Sequence, residues 1–172
     1  MTVSELARVV HGHVEGGTDV RVLGAEVDSR RLRAGDLFVA LRGARCDGHA
    51  FVDSALETAA AALVRGDAEL DPPPAGRALV RTADPLVAYH ELASHERQQR
   101  GWTIAAVTGS VGKTTTKDFL AAFAASQRRT GASTGNRNST LGLPAELLSQ
   151  SGDIEVFVAE TGMSQPGELS LL

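Results

Sequence analysis

The sequence predicts an α/β protein in two parts. A small mixed α/β unit covers residues 1–100, and residues 101–172 form the first part of a second unit with a mainly parallel sheet. Three observations point there. Short apolar runs alternate with helical patterns along the chain, the signature of strands layered against helices. An apolar run from Trp102 to Val107 breaks at a glycine turn and opens into a helical pattern. A second apolar run, Ile154 to Ala159, ends on an acid, Glu160.

Each element has a local cause. Thr2-Val3-Ser4-Glu5 has capping-box spacing, Leu6, Val9 and Val10 follow at helical intervals, and Gly12 is a stop. Val20, Val22, Leu23, Ala25 and Val27 suggest extended chain ending at Asp28. Asp36 to Leu41 reads as a strand closed by Gly43, and the alanine-rich run Phe51 to Ala62 reads as a helix. Ala62-Leu63-Val64 and Ala78-Leu79-Val80 are short strands separated by the loop Asp71 to Gly76 with its three prolines. Asp84-Pro85 starts a helix with proline in its first turn, running to a polar end at Arg100. The boundary falls near Gly101. Beyond it, Phe119, Leu120 and Phe123 mark one helix face, and a polar glycine/asparagine stretch covers Gly131 to Ser139. A short helix is expected over Pro144 to Ser149, and the first turns of another over Pro166 to Leu172.

The segment Thr108-Gly109-Ser110-Val111-Gly112-Lys113-Thr114-Thr115-Thr116 carries the most chemistry. Strand, glycine turn, Gly-Lys-Thr and helix form the layout of a phosphate-binding loop. Small residues let consecutive backbone N–H groups curl around a phosphate, and the helix N-terminus adds partial positive charge. Lys113 then reaches the outer phosphates and the Thr114 hydroxyl ligates Mg²⁺. A plain strand-to-helix turn explains Gly109 and Gly112 but leaves Lys113-Thr114 unexplained. The usual motif has glycine six residues before the lysine, where this chain has Val107, so the loop is a shortened variant.

Glu160 closes a buried-strand pattern, on the side of the sheet where ligands bind. An acid there either holds Mg²⁺ or caps the next helix, and the phosphate loop upstream favours the metal. Gly135-Asn136-Arg137-Asn138-Ser139 is either a polar substrate contact or ordinary turn chemistry. Asp28-Ser29-Arg30 and the segment from Gly43 to Phe51 are compatible with plain turns. His11 and His13 flank a helix stop and read as a solvated turn. Cys46, the single cysteine, has no local partner for nucleophilic chemistry.

Composition narrows the class. A formal net charge of −4 gives no electrostatic reason to expect nucleic acid or an anionic membrane as partner. No apolar run is long enough to span a bilayer, the N-terminus lacks an apolar signal core, and one cysteine excludes an intrachain disulfide. A cytoplasmic location is the expectation.

Several segments together resemble the Mur ligases. Asp28-Ser29-Arg30, Gly35-Asp36-Leu37-Phe38-Val39-Ala40-Leu41 with Gly43, and Asp47-Gly48-His49 with Phe51 are similar to their N-terminal domain. Thr108 to Thr116 resembles their ATP loop. Gly135-Asn136 with Asn138, Gly142-Leu143-Pro144, and Glu160 with Gly162-Met163 and Pro166-Gly167-Glu168 resemble the D-alanyl-D-alanine-adding branch. Where the family usually continues with a second asparagine and an acid, this chain has Ser139 and Thr140.

The resemblance implies an ATP-dependent carbon–nitrogen ligase of peptidoglycan precursor synthesis, joining D-alanyl-D-alanine to UDP-N-acetylmuramoyl-tripeptide through an acyl phosphate. It implies that Ser29 and the loop Ala44, Arg45 and Cys46 hold the UDP end, and that Asn138 lies near the muramoyl substrate. ATP phosphates would rest on Thr108, Gly109, Ser110, Val111, Gly112, Lys113, Thr114 and Thr115. Mg²⁺ would sit at Thr114 and Glu160, with Lys113 and Glu160 carrying the catalysis. It implies a monomer at full length. A βα unit takes roughly 30 residues, so about two fit after Lys113, and the chain is expected to stop inside its second unit and to lack turnover alone. A sibling ligase of the same family, or an inactive UDP-sugar or nucleotide-binding module, are the alternatives.

Overall fold

The computed structural model of the chain describes residues 1–43, 46–135, 137–150, 153–163 and 167–168. Among them, eight strands and five α-helices divide into two compact units, Met1–His95 and Glu96–Leu172, with the division inside a helix. Each unit is described by itself.

The first unit opens with α1, Val3–Val9, held by a reciprocal cap. The Glu5 N–H donates to Thr2 Oγ1 at 3.3 Å, and Thr2 N–H donates to Glu5 Oε2 at 2.7 Å. After Val10 the chain reverses at His11, whose φ of 50° is the one positive value at a non-glycine residue among the described ones. The His11–His13 segment is thus partly strand rather than only a solvated turn, because His13 begins β1, His13–Gly16.

Strands β2 (Gly24–Glu26), β3 (Asp36–Val39), β4 (Ala61–Arg65) and β5 (Ala78–Thr82) follow, in the spatial order β1-β5-β4-β3-β2. Only β1 runs antiparallel to its neighbour; the other pairs are parallel. Parallel strands are covered on both faces, and Ala61, Ala62, Leu63 and Val64 are fully buried. On one face Phe38, Ala40, Ala62, Val64 and Leu79 pack with Val52, Ala55, Leu56 and Ala59.

Those last residues expose a difference from the sequence reading. The alanine-rich run is not helical to Ala62: α2 is Val52–Leu56, preceded by a 3-10 turn at Gly48–Phe51. Alanine's helix preference yields to burial here. The run from Ala61 finds ladder partners in both β3 and β5, which satisfies its backbone as well as a helix would. The sixteen-residue α3, Pro85–Arg100, begins at Asp84, whose Oδ1 accepts the Leu86 and Val87 N–H groups.

The second unit contains β6 (Thr103–Val107), α4 (Lys113–Ala125), β7 (Thr130–Ala132), α5 (Gly142–Leu148) and β8 (Val156–Glu160). Its three strands are parallel in the order β6-β8-β7, so the last strand in sequence inserts between the first two. The register pairs Val107 with Glu160. At the opposite end Trp102 stacks on Phe157 with the Arg100 guanidinium 5.0 Å from its ring.

Helix α4 packs on β8 and β7, but not through the face the sequence suggests. Phe119 and Phe123 are exposed, at 78% and 65%. The residue of α4 that is buried is Lys117, with Leu120, Ala121 and Ala124 half-buried on the same side. The expected helix over Pro166 to Leu172 falls mostly outside the described residues. No helix among the described residues is long and apolar enough to cross a membrane.

Candidate phosphate and metal site

Parallel pairing of β6 with β8 brings two carboxyl strand ends side by side, and the site is built on them. After Val107 the chain leaves the sheet through Thr108, Gly109, Ser110 and Val111, all exposed. Gly112 then caps α4 with φ of 76°, a left-handed conformation that any side chain would strain. That turn places Lys113 first in the helix and Thr114 second. The Lys113 ammonium donates to the Gly109 carbonyl at 2.7 Å, folding back over the loop. Thr115 is exposed on the following position.

Glu160 lies at the end of β8 and is 4% exposed. Its carboxylate is held from two directions. Thr114 Oγ1 donates to Oε2 at 2.8 Å, and Asn138 Nδ2 donates to Oε1 at 2.8 Å. Its backbone N–H donates to Ser133 Oγ at 2.8 Å. A buried carboxylate without such donors would carry a large desolvation cost.

Asn138 is anchored in turn. Its carbonyl accepts the Gly162 N–H at 2.8 Å, and its side-chain amide lies so close to Gly162 that a Cβ there would stand 3.2 Å from Asn138 Cγ. Ser139 accepts the Gly142 N–H on its hydroxyl at 3.2 Å and so steadies the start of α5. Asn136 lies outside the described residues.

Three residues that the sequence reading did not single out hold this arrangement. Glu146, 6% exposed on α5, accepts from the Thr134 N–H and hydroxyl and pairs with Arg137 at 3.4 Å, fixing the turn that presents Asn138. Ser133 receives the Glu160 N–H. Lys117 donates to the Ser133 carbonyl at 2.9 Å. The available signal was a charged residue on the sheet-facing stripe of a helix, at Lys117 with Leu120, Ala121 and Ala124.

The donor set suits Mg²⁺. Thr114 and Glu160 offer hard oxygen atoms, and Mg²⁺ takes one or two protein oxygens while keeping waters and phosphate oxygens. Among the described residues no group of three His, Cys, Asp or Glu side chains could form an all-protein cage.

The expected UDP-end residues belong to the first unit. Ser29 is half-buried in a 3-10 turn, Ser29–Arg31, capped by Asp28. The Arg30 side chain grips Asp28 at 2.7 Å and 2.8 Å, and with the Arg30 N–H it holds the Asp28 carboxyl down at about 2. Cys46 is exposed, and its carbonyl accepts the Gly43 N–H at 2.9 Å; Ala44 and Arg45 lie outside the described residues.

Beyond that loop, Gly48 packs so tightly that a Cβ would sit 2.7 Å from Leu41 N. His49 Nδ1 bonds Asp47 at 2.6 Å while Nε2 accepts the Arg65 N–H at 3.0 Å, so the proton sits on Nδ1. That ring N–H, the His49 backbone N–H and Arg42 keep the Asp47 carboxyl well below the usual range.

Comparison with known proteins extends this picture. Residues 21–97 match the Mur ligase family, catalytic domain, and residues 107–172 match the Mur ligase middle domain. The UDP-N-acetylmuramoyl-tripeptide–D-alanyl-D-alanine ligase of Bacillus subtilis (strain 168) is 38% identical over 173 residues, covering 99% of this chain and 38% of the relative. The structure of the UDP-N-acetylmuramoylalanyl-D-glutamyl-2,6-diaminopimelate–D-alanyl-D-alanyl ligase from Acinetobacter baumannii superposes with a TM-score of 0.86 at 30% identity, over 99% of this chain and 38% of that one. The MurF ligase from Thermotoga maritima, solved in complex with ADP, gives 0.73 at 31% identity over 88% of this chain and 34% of that one. The chain therefore spans under two fifths of the length of these relatives.

Proposed function

Because the chain belongs to the Mur ligase family, we propose that it is part of an ATP-dependent ligase that joins D-alanyl-D-alanine to UDP-N-acetylmuramoyl-tripeptide. The observation that carries this reading is the 2.8 Å bond from Thr114 to Glu160, which sets a phosphate-loop hydroxyl against a strand-end carboxylate. The names of the relatives supply the substrates. In this reading residues 1–100 bind the UDP end, through Ser29 and the loop from Ala44 to Cys46, and residues 101–172 bind ATP.

The chemistry asked of the site is phosphoryl transfer. A substrate carboxylate oxygen attacks the γ-phosphorus of ATP, the bond to the β-phosphate oxygen breaks, and ADP leaves. The amine of D-alanyl-D-alanine then attacks the acyl phosphate carbon and inorganic phosphate leaves.

The loop N–H groups from Gly109 to Thr115 receive phosphate oxygens at the start of α4. Lys113 exchanges its Gly109 carbonyl for the outer phosphates and steadies the charge that develops on them. Thr114 and Glu160 would hold Mg²⁺, whose charge neutralises phosphate oxygens when bound. Asn138, donating to Glu160, keeps that carboxylate oriented and lies beside the path of the muramoyl substrate.

Binding tests the assignment. Calorimetry of the chain should show Mg²⁺-dependent ATP binding that Lys113→Ala weakens, and separate binding of UDP-N-acetylmuramoyl-tripeptide that Ser29→Ala weakens. In the full-length protein that includes this sequence, ADP release should require the tripeptide substrate and D-alanyl-D-alanine together. ADP release with another amino acid in place of the dipeptide would assign a sibling activity instead.

A further inference from the structure

Lys117 is a lysine where an amphipathic helix would ordinarily place an apolar residue. It faces the sheet from the second turn of α4 and is 6% exposed. Among the described residues its ammonium has two partners, the Ser133 carbonyl at 2.9 Å and Asp118 Oδ1 at 2.7 Å. Asp118 is well exposed, so that half of the pairing is screened by solvent. The Ser133 carbonyl is the buried partner.

Ser133 is itself 2% exposed and sits just past β7. Its N–H donates to the Val158 carbonyl at 3.0 Å, and its hydroxyl accepts the Glu160 N–H at 2.8 Å. One residue therefore links the Lys117 ammonium to the Glu160 backbone. Thr114, three positions before Lys117 on the same helix, grips the Glu160 carboxylate directly. Helix α4 thus holds Glu160 twice, by its side chain through Thr114 and by its backbone through Lys117 and Ser133.

We propose that Lys117 is a positioning residue for Glu160, setting through Ser133 where the carboxylate lies against the Thr114 hydroxyl. The physical case is the cost of the alternative. A buried ammonium is expensive unless it is hydrogen-bonded, and removing it leaves the Ser133 carbonyl buried without that donor. Ser133 then loses one of the bonds that fix its hydroxyl beneath Glu160. Groups that orient a metal ligand without touching the metal typically matter about 10- to 100-fold in metal affinity. The consequence for metal rests on the nucleotide reading above; the consequence for the position of Glu160 does not.

Two measurements on Lys117→Met and Ser133→Ala test this. The first is amide hydrogen exchange by NMR, which requires no ligand. The Glu160 N–H should exchange about 10-fold faster in Ser133→Ala, which removes its acceptor, and faster also in Lys117→Met, which loosens that acceptor. The Thr161 N–H, bonded to the Val107 carbonyl at 2.9 Å, should stay as it was. Unchanged Glu160 exchange, or equal acceleration at Thr161, would overturn the proposal. Should Lys117→Met fail to fold, Ser133→Ala cuts the same link from the other end while leaving the ammonium its carbonyl.

The second measurement is the Mg²⁺ concentration that gives half-maximal ATP binding. It should rise at least about 10-fold in Lys117→Met, with metal-free ATP affinity unchanged and with no further rise in a Glu160→Gln background. A rise of equal size in that background would show that Lys117 acts elsewhere and would overturn the metal part. Absence of ATP binding by the unaltered chain would sink the proposed function, and the exchange measurement would still decide the position of Glu160.

Discussion

Lys113→Ala separates what the phosphate loop does for folding from what it does for binding. Among the described residues the Lys113 ammonium makes a single solvent-exposed hydrogen bond, to the Gly109 carbonyl. An exposed bond of this kind contributes at most about 1 kcal/mol net. Alanine is also a better helix former than lysine at the start of α4. The variant should therefore unfold in urea within about 1 kcal/mol of the unaltered chain.

Binding is a different matter. An ammonium donating to a phosphate oxygen forms a charge-assisted bond of about 1.5–3 kcal/mol. That corresponds to a loss of about 10- to 100-fold in affinity for Mg²⁺-ATP, readable by isothermal titration calorimetry. The two numbers must diverge. Affinity retained within about twofold would refute the phosphate role of Lys113. A loss of stability as large as the loss of binding would show the lysine to be a structural strut of the loop.

Other outcomes follow from the same geometry. Thr114→Ala and Glu160→Gln should raise the Mg²⁺ required for ATP binding, so added Mg²⁺ should partly restore them and should not restore Lys113→Ala; equal rescue of all three would remove the metal assignment. Asp28, held at about 2 chiefly by the Arg30 side chain, stabilises the fold above the ordinary carboxylate range, and that contribution fades as pH falls towards 2. Arg30→Ala should move the Asp28 carboxyl midpoint upward in a carbon-detected NMR titration, so the contribution fades at a higher pH; an unmoved midpoint would contradict the assignment. Gly16, with φ of 95° and a would-be Cβ 2.5 Å from the Arg77 carbonyl, should tolerate alanine poorly, with a loss of at least about 1–3 kcal/mol in urea denaturation.

The parts legible in the sequence are those whose signal is local. Strand β6 is an apolar run bounded by a glycine turn, and the Gly-Lys-Thr order has few other uses. Glu160 stood out because a charge ends a buried run. The parts that were not legible are defined by their partners. Strand β7 is only Thr130–Ala132, and its sequence says little until β8 lies beside it. Strand β1 contains one strongly apolar residue, Val14, and exists because β5 offers an open edge.

Helix α4 misled for a related reason. Phe119 and Phe123 outrank Ala121 and Ala124 on any hydrophobicity scale, yet the helix turns its small residues and Lys117 to the sheet. Its phase brings Thr114 to Glu160 and leaves its largest side chains exposed. Asn138 belongs to the same class: its residue type suited a turn equally well, and only the fold places its amide on Glu160.

Val107 carries the last of these arguments, because it stands where the common phosphate loop has glycine. It is not a loop residue here. It closes the β6–β8 ladder opposite Glu160, and its carbonyl accepts the Thr161 N–H at 2.9 Å and the Thr161 hydroxyl at 3.4 Å. Val107 is thus the last residue of β6, and its rung fixes the segment that carries Glu160. Val107→Gly restores the common spelling of the motif and should be a loss. Glycine in a strand costs about 1 kcal/mol, and a loosened last rung frees Glu160 relative to Thr114. The expected result is lower stability in urea with a higher Mg²⁺ requirement for ATP. Tighter ATP binding by Val107→Gly would instead mean that the glycine acts within the loop, and that the ladder position of Val107 has no part in the site.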